Sequence, residues 1–291
     1  MKQLVVVSGK GGTGKTVLSA SFAALAGGTA VLADLDVDAA NLHLLLRPDV
    51  RERHEFFGGK KARVDEERCT ACGDCLTVCR FDAVSAAAEG KARIDQLACE
   101  GCGLCARVCG PAAIAMEPCL SGEWFVSETR FGPFVHARLG VAQENSGKLV
   151  TEVRKKAREI GERDGRGLLI MDGSPGIGCP VIASLAGTDR ALIVTEPTLS
   201  GLHDLERVAG LAGHFGVRAA CAVNKHDINA AQSDRIEAWC SARGIRLAGR
   251  IPFDVAVPES IARGLPLVEH APGPAAAAVR ELWESLREEL G

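Results

Sequence analysis

Leu4-Val5-Val6-Val7-Ser8-Gly9-Lys10-Gly11-Gly12-Thr13-Gly14-Lys15-Thr16 joins a short apolar run to a glycine-rich turn and the start of a helical pattern. Its last eight residues match G-x-x-x-x-G-K-[ST] in the context that motif requires, after a strand and before a helix. Glycines leave the backbone N–H groups of such a loop open to phosphate oxygens, because no Cβ blocks the approach. The following helix adds the positive end of its dipole. Lys15 is placed to reach the β- and γ-phosphates of a nucleoside triphosphate, and Thr16 to bind Mg²⁺. A plain glycine-rich turn is the bland alternative, and the two flanking elements weigh against it.

Outward from this loop the chain alternates. The expected order is strand Gln3–Val7, helix Lys15–Ala26 and strand Ala30–Asp34, with the same alternation returning after residue 120. Apolar runs at Leu168–Met171, Ala191–Thr195, Ala219–Val223 and Leu247–Ile251 are separated by amphipathic stretches such as Lys148–Glu162 and Gly201–His214. Repeated strand–helix units imply an α/β fold, a mainly parallel sheet with helices on both faces.

The alternation breaks between residues 58 and 118, which hold an internal repeat. VDEERCTACGDCLTVCRFDAV (Val64 to Val84) returns as IDQLACEGCGLCARVCGPAAI (Ile94 to Ile114), with all four cysteines of each copy aligned. The spacings Cys69-x₂-Cys72-x₂-Cys75-x₃-Cys79 and Cys99-x₂-Cys102-x₂-Cys105-x₃-Cys109 follow the bacterial two-cluster ferredoxin run. Three thiolates at two-residue gaps wrap one face of a cubane, and the fourth lies across a short helix. Cys69, Cys72, Cys75 and Cys109 are therefore expected to hold one [4Fe–4S] cluster, and Cys99, Cys102, Cys105 and Cys79 the other. Zinc modules usually pair two separated C-x₂-C knuckles, which is not this pattern. The run departs from the usual Cys-Pro ending: Arg80 follows Cys79 and Gly110 follows Cys109. The expected organisation is a nucleotide-binding domain of 1–57 and 119–291 interrupted by a small α+β ferredoxin-like domain at 58–118.

Composition sets limits. The 291 residues carry 34 Lys+Arg against 37 Asp+Glu, a net charge of −3, which argues against a bulk nucleic-acid binder. No apolar run approaches the roughly 18 residues of a membrane span, and the N-terminal run is too short for a signal-peptide core. A cytoplasmic protein is expected. Its twelve cysteines then point to metal rather than disulfides.

Lys10 makes the loop G-K-G-G-x-G-K-T, which resembles the deviant form of the MinD/ParA class of ATPases, a class that includes the nitrogenase iron protein and the Mrp-type iron–sulfur carriers. The resemblance implies that Lys10 reaches across a dimer interface to the partner's nucleotide, so that a homodimer, or a heterodimer with a paralogue, sandwiches two ATP. It implies that Asp36, in Asp34-Leu35-Asp36-Val37-Asp38, orients the attacking water. It implies that Asp172, in Asp172-Gly173-Ser174-Pro175-Gly176, holds Mg²⁺ through water. Asn224 of Asn224-Lys225-His226-Asp227 and Pro252 of Ile251-Pro252-Phe253-Asp254 look like the residues that meet the base. Cys179 lies seven residues after Asp172, the offset of a cluster ligand in the nitrogenase iron protein. It is a candidate extra ligand, perhaps with Cys119, against the plainer reading of a buried small residue at a helix start. Cys221 and Cys240 look like core.

The whole chain thus resembles a MinD-superfamily ATPase with an inserted two-cluster domain. Three functions follow as expectations. The first is an ATPase that couples a nucleotide-driven dimer switch to electron transfer, or to assembly or delivery of a metallocofactor, with a redox or metallocofactor protein as client. The alternative is a positioning ATPase related to cell-division and partition proteins, its clusters structural or sensing. The third is a passive electron carrier, which the intact loop residues disfavour. Glu123–Val150, with Arg130, His136 and Arg138 beside aromatics, reads either as a coupling segment or as an ordinary strand pair. The C-terminal stretch sets Ala276, Val279, Leu282, Trp283, Leu286 and Leu290 on one helical face, while its polar face sets Arg280 and Arg287 against Glu281, Glu284, Glu288 and Glu289. Lipid-binding helices need a basic face, so this helix is expected to pack on the sheet and to provide no stable membrane anchor.

Overall fold

The computed structural model describes residues 1–140 and 146–290. It begins with β1 (Lys2–Ser8), α1 (Lys15–Leu25), β2 (Ala30–Asp34), α2 (Leu42–Leu46) and the long β3 (Asp49–Val64). The cysteine repeat supplies α3 (Asp74–Val78), β4 (Val84–Ala86), β5 (Ala92–Ile94) and α4 (Leu104–Val108). A second long strand, β6 (Ile114–Thr129), leads to β7 (Gly132–Leu139) and α5 (Ser146–Arg163). The alternation then resumes with β8 (Leu168–Pro175), α6 (Cys179–Leu185), β9 (Arg190–Thr195), α7 (Leu199–His214), β10 (Arg218–Asn224), α8 (Ala230–Ser241) and β11 (Arg246–Ile251). Three helices close the chain: α9 (Ala256–Arg263), α10 (Leu267–His270) and α11 (Pro274–Leu290).

Among the described residues, nine strands form one sheet in the order β11-β10-β9-β1-β8-β2-β7-β6-β3. The pairs from β11 across to β7 are parallel. Only two residues join β6 to β7, a connection short enough for antiparallel strands alone. β1, β2 and β8 are buried almost throughout, as expected of parallel strands covered on both faces. Parallel register brings Val6 and Asp34 level with Asp172 on the two sides of β8. The C-terminal ends of these strands, where open α/β sheets bind ligands, therefore share one edge.

The chain divides into two compact units, one of Met1–His54, Trp124–Arg138 and Ser146–Gly291, the other of Glu55–Glu123 with the stretch beginning at Leu139. The division falls within β3 and β6, three to five residues outside the boundaries of 58 and 118 expected from sequence. β3 carries seven exposed or half-exposed residues before its first buried one, Phe56, so its polar run gives no strand signal. The first unit has a large apolar core in which Phe22 of α1 stacks on Trp283 of α11 at 5.2 Å between ring centroids. Ala276, Val279, Leu282, Leu286 and Leu290 are buried with it, so α11 packs on the fold as its pattern implies.

In the second unit the apolar cluster is small: Ala62, Ala92 and Ile114 with Cys75 and Cys105. Its two copies interlock. Asp65 N–H donates to the Ala113 carbonyl at 2.7 Å, and Asp95 N–H to the Ala83 carbonyl at 2.8 Å. Ala71 and Gly101, Gly73 and Gly103, and Asp82 and Ala112 share positive φ at equivalent places. The repeat is thus one of backbone conformation as well as of sequence.

Candidate functional site

Gly9 to Gly14 connect β1 to α1. Two glycines are required for different reasons. A Cβ on Gly9 would stand 2.2 Å from that of Asp204 in α7. Gly14 caps α1 at φ 97, where a Cβ would also lie 2.5 Å from Asn224 Nδ2. Asn224, at the end of β10, donates through that nitrogen to the Thr13 carbonyl at 2.8 Å. Thr13 itself is buried, and its Oγ1 is without a hydrogen-bond partner. A buried hydroxyl in that condition costs about 1–3 kcal/mol, and a ligand oxygen in the loop would remove the penalty.

Asp172 of β8 accepts from Thr16 Oγ1 at 2.7 Å and from Ser19 Oγ at 2.9 Å. Burial pushes its carboxyl up to about 6, against the Thr16 and Ser19 hydrogen bonds and the charge of Lys15. Asp34, fully buried beside it, is driven well above the carboxylate range by burial and then by the charge of Asp172. Asp36 is raised mainly by burial, with Lys15 pulling the other way. Asp36 and Asp172 both feel the charge of the buried Lys15, and the Thr16 hydroxyl adds a further oxygen donor beside Asp172. That donor set suits Mg²⁺, which takes one or two carboxylates plus substrate phosphates. Asp38 is exposed. Ser174 Oγ donates to the Leu35 carbonyl and the Gly176 N–H to the Ser8 carbonyl, which tie together the segments after β2, β8 and β1.

Lys10 is ion-paired within its own chain. Its Nζ lies 3.0 Å from Glu196 Oε2, and Lys225 Nζ lies 2.7 Å from Glu196 Oε1. Burial alone would raise the Glu196 carboxyl, but the bonds from Lys225 and Lys10 outweigh it and hold the group below its ordinary value. Sequence reasoning passed over Glu196. The available signal was its place directly after β9, at the ligand-binding edge of the sheet. Asp227 Oδ1 accepts from the Phe253 N–H at 2.7 Å, so one of its oxygens is engaged in holding the segment that contains Pro252.

The eight repeat cysteines separate into two sets. Cys69, Cys72, Cys75 and Cys109 line one cavity, and Cys79, Cys99, Cys102 and Cys105 line another. Backbone N–H groups point at some of the sulfurs. Ala113 N–H donates to Cys109 Sγ at 3.2 Å, and those of Ala92 and Ala71 hold the Cys69 thiol below its ordinary value. Burial pushes Cys75 and Cys105 up. Among the described residues no three His, Cys, Asp or Glu side chains gather as a site for a single metal ion.

Cys179 is exposed at the first position of α6 rather than buried. Cys119, at intermediate burial, sits in β6. Cys221 and Cys240 are fully buried. The Glu123–Val150 segment forms the end of β6, β7 and the start of α5, with residues 141–145 outside those described. Among the described residues no helix is long and apolar enough to cross a membrane.

Residues 4–267 match the CobQ/CobB/MinD/ParA nucleotide binding domain. The chain belongs to this family. A curated but uncharacterized protein of Methanocaldococcus jannaschii is 31% identical over 289 residues, covering 98% of this chain and 96% of that one. A second protein of the same archaeon, described as an uncharacterized ATP-binding protein, is 24% identical over 97% of this chain and 86% of its own length. Among solved structures, the septum site-determining protein MinD of Pyrococcus horikoshii, complexed with Mg-ADP, superposes with a TM-score of 0.63 at 18% identity, covering 100% of this chain and 97% of the other. That likeness shows a shared α/β fold with the MinD structures. As a member of the CobQ/CobB/MinD/ParA family, the chain carries a nucleotide binding domain, and its glycine-rich loop stands at the end of β1.

Proposed function

We propose that this protein binds and hydrolyses ATP as a dimeric switch, and that its second unit is a ferredoxin-like domain carrying two [4Fe–4S] clusters whose redox or assembly chemistry the switch controls. The observation that carries the reading is the sorting of eight thiols into two sets of four, each made of three cysteines from one repeat and one from the other. N–H groups aimed at sulfur suit thiolate ligands, because a donor favours the charged form. When bound, the clusters supply one-electron transfer, or are themselves the cargo.

In the nucleotide site Lys15 and the loop N–H groups hold the phosphates. Thr16 and Asp172, now hydrogen-bonded to each other, would hold Mg²⁺, which would supply charge neutralisation at the phosphates. Asp36 orients the attacking water. Lys10 stabilises charge on the partner's nucleotide, and to do so it leaves Glu196. Asn224 holds the loop through Thr13 and meets the base together with Pro252. Binding shifts the switch only by its differential affinity for the open and closed dimer. Cys179, exposed at the start of α6, is kept as an extra ligand candidate near the dimer axis.

The names of the solved neighbours favour a second reading, that of a positioning ATPase with structural or sensing clusters. A MinC–MinD complex and a ParA-family ATPase share the fold at TM-scores of 0.58 and 0.57. One experiment separates the two readings. Cluster potential and partner capture are measured on anaerobically purified protein with and without MgATP. A MgATP-dependent change in either supports the switch. No change in either, together with nucleotide-dependent cellular localisation that survives Cys72→Ser and Cys102→Ser, establishes the positioning reading instead.

A further inference from the structure

The strands β9, β10 and β11 begin on Arg190, Arg218 and Arg246, at the edge of the sheet opposite the glycine loop. Arg218 stands level with Arg190 across one strand pair. Arg246 stands level with Ala220, two residues beyond Arg218, across the other. Residues level in a parallel pair, and residues two apart on a strand, point to the same face. All three guanidiniums therefore leave the sheet on one side, although like charges set opposite each other on neighbouring strands are destabilising. Glu289 of α11 offsets part of this charge. Its Oε1 lies 2.5 Å from Arg246 Nε, and Arg246 Nη1 also donates to Ser285 Oγ. Its Oε2 lies 3.1 Å from Arg190 Nε, which is buried yet makes no hydrogen bond. The Arg218 guanidinium is exposed and has no partner among the described residues. Three guanidiniums thus face one carboxylate, an excess of two positive charges.

These groups line a groove of about 700 Å³, within the roughly 300–1,000 Å³ of small-molecule sites. One wall is α7, where a Cβ on Gly210 or Gly213 would meet nothing within 4 Å. A glycine inside a helix costs about 1 kcal/mol relative to alanine, and packing within the chain does not require either one. The other wall is Trp239 of α8, with the Arg243 guanidinium 4.3 Å from its ring centroid. Arg243 lies 3.8 Å from Glu206 of α7, so this pair adds no net charge.

We propose that this groove binds a phosphate monoester, its phosphate held at Arg218 beside Arg190 and its organic part laid along the bare face of α7 toward Trp239. A phosphate monoester carries close to two negative charges at pH 7, which the excess at the strand starts matches. The guanidinium fork fits phosphate oxygens two at a time. The glycines let an organic group approach the helix backbone directly. The groove lies at the starts of its strands and the glycine loop at the end of β1, so this site stands or falls independently of the nucleotide reading.

The test is a calorimetric titration of the full chain with phenyl phosphate, with phenyl sulfate as a probe of like shape and single charge, and with inorganic phosphate. Lys15→Ala is titrated in parallel to separate any binding at the glycine loop. One phenyl phosphate site is expected, unchanged in Lys15→Ala. Arg218→Gln weakens it about tenfold or more, and phenyl sulfate binds about tenfold more weakly than phenyl phosphate. Gly210→Leu fills the groove from α7 and weakens phenyl phosphate about tenfold while sparing inorganic phosphate. Arg218 and Gly210 are exposed, and leucine is a better helix former than glycine, so both variants are expected to fold. No binding of phenyl phosphate overturns the proposal, as does binding indifferent to Arg218→Gln or lost in Lys15→Ala. Equal affinity for phenyl sulfate overturns the assignment to phosphate monoesters. Phenyl phosphate binding that Gly210→Leu leaves unchanged overturns the placement of the organic part on α7.

Discussion

Lys10 and Glu196 are ion-paired at 3.0 Å inside one chain, and the other oxygen of the same carboxylate takes Lys225 at 2.7 Å. A lysine engaged in this way is withheld from any partner. The dimer closure proposed for Lys10 would therefore compete with a bond that the single chain already makes. Lys10 is 35% exposed, so the pair is worth only about 1 kcal/mol. Glu196→Gln is expected to lower the protein concentration needed for MgATP-dependent dimerisation by about fivefold, read by sedimentation at several concentrations. Unchanged or weakened dimerisation would show that Glu196 does not restrain Lys10.

Asn224 braces the phosphate loop through the Thr13 carbonyl. Asn224→Ala removes that bond and, on the role proposed for Asn224, a contact to the base. A loss of about 1–2 kcal/mol, roughly tenfold in ATP affinity, is expected. Gly14→Ala should cost more, because the new methyl meets Asn224 in a backbone conformation at φ 97. Titration with a fluorescent ATP analogue ranks the two, and the reverse order would contradict this account of the loop.

Much of the nucleotide unit was legible because its signals are local. The strand Ala30–Asp34 ends where its apolar run ends, and the glycine motif needs only eight consecutive residues. β8 runs on to Pro175, past the expected Met171, because its polar end is buried at the site. The long strands β3 and β6 were not legible. β3 opens on Asp49-Val50-Arg51-Glu52-Arg53, a mostly charged run at the sheet edge, which lacks the apolar signal of a central strand. Glu196 stands 186 residues from Lys10, and no spacing rule reaches that far. Cys179 was read as a candidate extra ligand or a buried small residue, and it is exposed at the start of α6.

The half-buried His136 makes the first unit acid-sensitive. Its folded pKa of about 4 lies below the 6.5 of an unfolded histidine, so the unfolded chain binds more protons between those values. Stability is full above about pH 6.5 and falls as pH drops toward 4, by roughly 3 kcal/mol. Urea melts at pH 7 and pH 5 measure the change, and His136→Phe should flatten it. An equal slope in both proteins would assign the acid sensitivity to other groups.

The C-terminal helix is a structural element whose loss should unfold the first unit. Trp283 is 2% exposed and stacked on Phe22. Trp283→Ala is expected to cost about 3–5 kcal/mol, visible as a large fall in Tm, with no change in vesicle binding. A variant of unaltered stability that loses affinity for anionic vesicles would restore the lipid-anchor reading.

The central claim is that the eight repeat cysteines hold two four-iron clusters in the same chain as a working nucleotide site. Iron and acid-labile sulfide counts on anaerobically purified protein test it most directly. The account predicts about eight of each per chain, falling to about four in Cys109→Ser and in Cys79→Ser alike. Colourless protein containing stoichiometric zinc and no sulfide would contradict it.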